Sequence, residues 1–233
     1  SSSSSPSTAP ATAPTTTRPI HISSDRKTIT LHDANGETTT QLFSPTPKIS
    51  SEKLERALAP LLLPPLPSSG LEYAHSQSPS GWQLDPQHGD AIHRHFAFES
   101  KAKREEAIER IMRVADEMKH HPHIARGEWN AASPPQQDSR PWSCFPLTVT
   151  CTTHQPRGLS GKDARLAAAV DGLALVDDDI LWALEEWDVQ GGTDTGREMI
   201  RRIREEQARL VGINRRAIAD ALSSCGCADA KAE

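Results

Sequence analysis

The chain has 233 residues, a formal net charge of −5, 36% hydrophobic and 4% aromatic residues, 18 prolines and four cysteines. Four thiols in so long a chain are too few for a disulfide scaffold, and the negative charge gives no general reason to bind nucleic acid or an anionic membrane. No apolar run approaches the roughly 18 residues of a bilayer span, and the length suits one domain of average size with long appendages.

Residues 1 to 19 are almost wholly Ser, Thr, Pro and Ala, which cannot bury enough apolar surface to offset the entropy of ordering, so they are expected to be disordered. Acid is absent before Asp25, as in organelle transit peptides, but prolines at 6, 10, 14 and 19 oppose the amphipathic helix such peptides form. A reducing, cytoplasmic location is expected, with a mitochondrial targeting remnant as the alternative. From Lys27 to Phe43, Thr28-Ile29-Thr30-Leu31, Asn35-Gly36 and a Thr-rich run predict a small hairpin with a type I′ turn. It contributes no stripe that a core would need, which sets residues 1–48 apart as an extension.

Ser50 or Ser51 caps a predicted helix from Glu52 to Leu63, with Leu54, Leu58, Leu61 and Leu62 as its buried stripe, stopped by Pro64-Pro65. Residues 64–80 are Pro/Ser/Gly-rich and read as a surface loop. Gly81 to Leu84 and Ile92 to Phe98 then predict two strands joined by a turn around Asp85-Pro86 and Gly89-Asp90. Ile92, Phe96 and Phe98 share a face with Arg94, and His93 and His95 are expected to face solvent.

From Glu105 to Lys119, Ile108, Ile111, Met112, Ala115 and Met118 recur at helical spacing, with Arg104, Glu109, Arg113 and Glu117 opposite. The helix runs into His120-His121-Pro122. Proline pushes His121 out of the α region, so His120 is expected to close the helix, where the macrodipole stabilises an imidazolium by roughly 0.3–1 kcal/mol. Glu128-Trp129-Asn130 is expected to begin a strand, interrupted by a stretch from Ser133 to Pro146 with four prolines. Leu147 to His154 alternates: Leu147, Val149 and Cys151 face one way, and Thr148, Thr150, Thr152 and His154 the other.

Ser160 caps the next helix, with Asp163 in the acidic place of a capping box and Leu166, Ala169, Val170 and Leu173 as the stripe. Val176, Ile180, Leu181, Leu184 and Trp187 suit a further helix, broken at Gly191-Gly192. Residues 197–222 suit a longer one with Ile200, Ile203, Leu210, Ala217 and Ala221 as its stripe. Gly212 and Asn214 interrupt that stripe, so it should pack on the core or on a neighbouring subunit rather than in a coiled coil. Cys225-Gly226-Cys227 reads either as incidental thiols or as a metal or disulfide-exchange pair.

Gly81-Trp82, Asp90-Ala91-Ile92, Phe96-Ala97-Phe98, Arg113-Val114-Ala115, His120-His121-Pro122, Trp129-Asn130, Leu147-Thr148-Val149-Thr150 through His154, and Gly158-Leu159-Ser160 with Asp163, Leu166 and Ala167 together resemble the pterin-4a-carbinolamine dehydratase family, in its order. The resemblance covers residues 50–172 apart from insertions at 64–80 and 131–145. It implies an α+β fold: a four-stranded antiparallel sheet with helices packed on one face, in the order α-β-β-α-β-β-α, over residues 49–174. Residues 175–233 then form a helical C-terminal extension.

The resemblance also implies that His120, His121 and His154 match the family's three active-site histidines, that Asp163 matches an acidic residue near them, and that Asp163 and Trp129 contact the substrate. That substrate is a small-molecule pterin, a 4a-hydroxytetrahydropterin dehydrated to the quinonoid dihydropterin without metal or cofactor, by a homo-oligomer. Loss of the hydroxyl with removal of the N5 proton needs two groups in opposite protonation states, and His121 with His154 is the expected pair, His120 orienting. Two other classes stay open. One is a non-catalytic binding or assembly protein acting through the C-terminal helices. The other is a metal site from His120, His121, His123, Cys151 and His154. Turnover of a pterin carbinolamine separates the first from an enzyme, and stoichiometric metal after dialysis would establish the second.

Overall fold

The computed structural model describes residues 19–32, 38–62, 81–131, 142–175 and 194–224. The expected disorder of the first residues, the Asn35-Gly36 turn, the 64–80 loop, the helix through Val176 to Trp187 and the Cys225-Cys227 pair lie outside these, wholly or nearly so.

The element order follows the patterning. Helix α1 (Ser51–Leu62) buries Leu54, Leu58 and Leu61 as expected. Strands β4 (Gln83–Leu84) and β5 (Ile92–Phe96) precede α2 (Lys101–Met118), which begins earlier than its stripe suggested because Ser100 caps it, its hydroxyl accepting from Lys103 N–H at 3.2 Å. Strands β6 (His123–Arg126) and β9 (Leu147–Cys151) precede α3 (Gly161–Asp171). The four strands form one antiparallel sheet in the order β4-β5-β9-β6. Leu147, Val149, Cys151, Ile92 and Phe96 share one core with Leu54 of α1, Ile108 and Ile111 of α2 and Leu166 of α3, so these three helices lie on one sheet face.

The strand expected at Glu128-Trp129-Asn130 is not the one that joins this sheet. That place belongs to β6, four residues directly after Pro122, while Trp129 to Ala131 (β7) pairs with Trp142 to Cys144 (β8) in a separate two-stranded arm. Strands this short carry too little alternation to reveal their partner. Since Trp129 already faces Cys144 across the arm, replacing residues 132–141 by a tight turn should preserve the fold, loop length costing only about 0.6 kcal/mol per doubling. The melting temperature is the check. Cys144 must be spared, because it is buried and Phe145 N–H donates to Phe98 O at 2.9 Å. Loss of folding would show that the arm depends on its tip.

The hairpin is present as β2 (Thr28–His32) and β3 (Thr38–Leu42), but it is not detached. A third strand, β1 (Ile20–Ile22), pairs with β2, and Ile20, Ile22, Ile29 and Phe43 lie in the main core. Ile22 N–H donates to Glu55 Oε1 of α1 at 2.7 Å. Residues 43–46 then run against two turns of the main domain. Ser44 N–H donates to Gly89 O, Leu159 N–H to Ser44 O and Thr46 N–H to Leu159 O, each at 2.9 Å. Gly89 and Gly158 have positive φ (63° and 138°), and a Cβ at Gly158 would lie 2.8 Å from Ser44 O, so the approach needs glycine there.

The second sheet face is covered as well, by the C-terminal helix α4 (Asp194–Ser224). Its buried line runs through Leu210, Asn214 and Ile218 rather than through Ala217, which is exposed. The asparagine that interrupts an apolar stripe is its centre here, because the face it meets is polar: Asn214 Nδ2 donates to Thr150 Oγ1 at 2.9 Å and to Thr148 O at 3.1 Å. Arg215 beside it donates from Nε to Asp85 Oδ2 (2.9 Å) and from Nη1 to Asp90 Oδ1 (2.6 Å).

His93 and His95 therefore do not face solvent, as their strand alone suggested. His93 is 4% exposed, and His95 Nδ1 lies 2.8 Å from Thr148 Oγ1. Burial first, then the charge of Arg215, holds His93 down to about 4, although Asp85 opposes the shift. Burial and neighbouring His93 hold His95 down to about 3. These rings charge on unfolding near pH 6.5, so their stabilisation is complete above that value and is lost as pH falls towards 4 and 3. Each should steepen the loss by about 1.4 kcal/mol per pH unit. Urea melts at pH 7.0 and 5.5 are expected to show it, and His93→Gln should flatten the dependence. Equal midpoints would show the rings are already charged in the fold.

Candidate active site

The site is built where α2 ends, β9 ends and α3 begins. Lys119, at φ 51°, closes α2 in the left-handed conformation; its N–H donates to Asp116 O and His120 N–H to Ala115 O. His120 thus lies just past the helix rather than closing it, and the reversal turns its ring towards the N-terminus of α3.

There Asp163 is 0% exposed and holds the expected capping box with Ser160. Its Oδ2 accepts from Ser160 N–H (2.7 Å), Ser160 Oγ (2.8 Å) and Thr153 Oγ1 (2.8 Å). Its Oδ1 is left for His120 Nε2, at 2.6 Å. A carboxylate can only accept, so His120 carries its proton on Nε2 and, when neutral, presents a bare Nδ1. Cap and pocket residue, alternative readings of Asp163 from sequence, are one arrangement here.

Thr153, which reaches the same carboxylate, is the neighbour of His154 on β10 (Thr153–His154), paired with β11 (Arg157–Gly158) in the register His154 opposite Arg157. His154 Nε2 lies 3.1 Å from His123 Nε2, the rings edge to face with centroids 5.1 Å apart. Burial, the neighbouring His154 and the charge of Arg215 hold His123 down to about 4, a neutral ring at neutral pH.

The expected residues are thus partly gathered. His120, Asp163 and His154 meet through the Thr153–His154 strand. His121 points back along α2, its Nε2 donating to Asp116 Oδ1 at 2.7 Å with both side chains more than half exposed, a surface pair worth about 0–1 kcal/mol. Trp129 lies beyond the other end of β6, lining a cavity of about 30 Å³ with His95, Thr148 and Leu210, room for one or two waters. The ligand set considered for a metal is dispersed, since Cys151 is fully buried in the core and His120 and His121 bind different carboxylates. Two contributors were missed. Thr153 carried no signal beyond its place before His154, and His123, which the sequence sets outside the active group, owes its contact to a pairing of β6 with β9 that local patterning does not report.

Residues 64–133 match the family described as pterin 4 alpha carbinolamine dehydratase. A protein of Rubrobacter xylanophilus named "Putative pterin-4-alpha-carbinolamine dehydratase" is 30% identical over 125 residues, 53% of this chain and 99% of that protein. One of the same name from Jannaschia sp. is 33% identical over 99 residues, 42% of this chain and 84% of that protein. The crystal structure of a transcriptional coactivator/pterin dehydratase from Brucella melitensis covers 54% of this chain and 97% of its own at 20% identity, with a TM-score of 0.34. No helix among the described residues is long and apolar enough to cross a membrane.

Proposed function

Since the chain belongs to the pterin-4a-carbinolamine dehydratase family, we propose that it removes water from a 4a-hydroxytetrahydropterin by histidine acid–base chemistry. The C4a–O bond breaks with its electron pair, an acid protonates the departing hydroxide to water, a base takes the N5 proton, and the N–H pair becomes the C4a=N5 double bond of the quinonoid product. Nothing is oxidised or reduced overall.

The observation that carries this reading is the Asp163 contact, which ties the exit of α2 to the strand bearing His154. A buried carboxylate behind an imidazole fixes its tautomer and offsets the charge that forms as it accepts a proton. His120, backed in this way, is the base at N5 through Nδ1, and His154 is the acid at the hydroxyl. This exchanges the roles expected of His120 and His121, because His121 is held only by an exposed pair and is free to contact the substrate. Asp163 acts through His120, and Trp129, on β7 past the end of β6, is given no role in the reaction. The expected homo-oligomer belongs to the same proposal and is read by light scattering.

The alternative, a binding or assembly protein acting through its C-terminal helices, is weakened by the position of α4, whose Leu210, Asn214 and Ile218 are spent on the chain's own sheet. The deciding experiment supplies the purified chain with a freshly generated 4a-carbinolamine pterin. Faster decay than the spontaneous reaction supports the enzyme. No acceleration with any such pterin moves the assignment to the binding protein.

A further inference from the structure

We propose that α4 is an autoinhibitory cover: docked on the sheet it shuts in the ring of His154, and the site works only while the helix is lifted. The proposal rests on the dehydratase reading above.

As an acid His154 must carry protons on both ring nitrogens and give one of them away. Its Nε2 lies 3.1 Å from Nε2 of His123, a ring kept neutral by burial and by the charges of His154 and Arg215, so the proton on that side goes to His123. The proton for the departing hydroxide is then the one on Nδ1. That atom is buried and has no hydrogen-bond partner among the described residues, so in the docked arrangement the proton has no path to a substrate.

The second sheet face supplies the obstruction. There α4 lies over Thr148, Thr150 and His123 and packs against β10, the strand of His154. Helix and hairpin are also pinned to one carboxylate, since Asp90 Oδ1 accepts from Arg215 Nη1 at 2.6 Å and Asp90 Oδ2 from Arg157 Nε, opposite His154, at 2.7 Å.

The cover is separable from the fold. Leu210 and Ile218, buried on α4, stand outside the core that the sheet shares with α1, α2 and α3, so lifting the helix leaves that core intact. What holds it is polar and concentrated in two adjacent residues. Asn214 Nδ2 donates to His123 O (3.3 Å), Thr148 O (3.1 Å) and Thr150 Oγ1 (2.9 Å), and Arg215 bonds Asp85 as well as Asp90. Water can replace each of these bonds once the helix lifts, and it would also reach Nδ1 of His93 and of His154, both orphaned while α4 is docked. Docked and lifted states balanced in this way are what a population shift requires.

The test uses the full chain in three forms: unaltered, Asn214→Ala and Arg215→Ala. Amide exchange over residues 206–218 reads the docking of α4, and acylation by diethylpyrocarbonate, located by mass spectrometry, reads access to the His154 ring. In the unaltered chain His154 is expected to react at least about tenfold more slowly than exposed His121, because it is reached only through local opening. Both variants should speed exchange in α4, bring His154 close to the rate of His121, and raise turnover about threefold to tenfold as the competent fraction grows. A helix that merely braces the site predicts the opposite sign, a fall in turnover. The proposal is overturned if His154 reacts as fast as His121 in the unaltered chain, if exchange in α4 is unchanged in both variants, or if α4 is released and turnover does not rise. Failure of both variants to fold overturns it too, since α4 would then be part of the framework. Should none of the three turn over a carbinolamine, the dehydratase reading fails on its own, and the acylation rates still decide the cover: slow in the unaltered chain and fast in the variants sustains it, equal rates overturn it.

Discussion

His154→Ala and His120→Ala are each expected to lower turnover of a 4a-carbinolamine by about 10²–10⁴-fold, the usual contribution of a positioned acid or base. The fold should survive both. His154 is only partly buried, and its deletion leaves no charge unpaired. Removing His120 takes the partner from Asp163 Oδ1, but Oδ2 keeps its three donors, so the loss should stay near the roughly 1–3 kcal/mol of one unsatisfied buried group. His121→Ala should act mainly on KM, since its ring is exposed and tied only to Asp116. Thermal melts and steady-state kinetics on the same preparations separate the two kinds of loss. Turnover unaffected by both His120→Ala and His154→Ala would sink the acid–base assignment.

Deleting residues 1–46 is expected to be the most damaging change to stability, contrary to what the composition of that region suggests. Ile20, Ile22, Ile29 and Phe43 are each no more than 3% exposed, and full burial of such side chains is worth about 1.5–3 kcal/mol apiece. The sum is comparable with the whole stability of an ordinary domain. At about 2–4 °C per kcal/mol for a chain of this size, the melting point should fall by about 15 °C or more, if a transition is seen at all. Activity should go too, because Ser44 and Thr46 supply the backbone partners of Leu159, directly after the β10–β11 hairpin that carries His154. A chain beginning at Pro19 is the control. A truncated chain that melts within a few degrees of it would show that β1 to β3 rest on the domain without holding it.

The elements a local pattern can specify are those legible in the sequence. The stripes of α1, α2 and α3 repeat at the helical period, the alternation from Leu147 to Cys151 marks one core-facing side, and Ser160 with Asp163 spells a cap. The pairing of His120 with Asp163 follows from those elements plus the family order, since a helix exit and a helix entrance meet at one carboxylate.

Tertiary structure decided the rest, and for one reason: a periodicity says which residues share a face, not what covers that face. His93, His95, Thr148 and Thr150 read as a solvated side because they are polar, yet a polar face can be buried if its cover brings matching donors and acceptors. Asn214 of α4 does so for Thr148 and Thr150, from 66 and 64 residues along the chain, and Arg215 beside it ties α4 to Asp85 and Asp90. The same limit hid β1, whose three residues acquire a core only by docking on α1, and the His123–His154 contact, which exists because β6 pairs with β9 and places two histidines 31 residues apart on one end of the sheet. Local sequence determined the helices, the strand faces and the cap around Asp163; long-range pairing and the burial of a polar sheet face under α4 determined which histidines touch, because those energies arise only between segments already brought together.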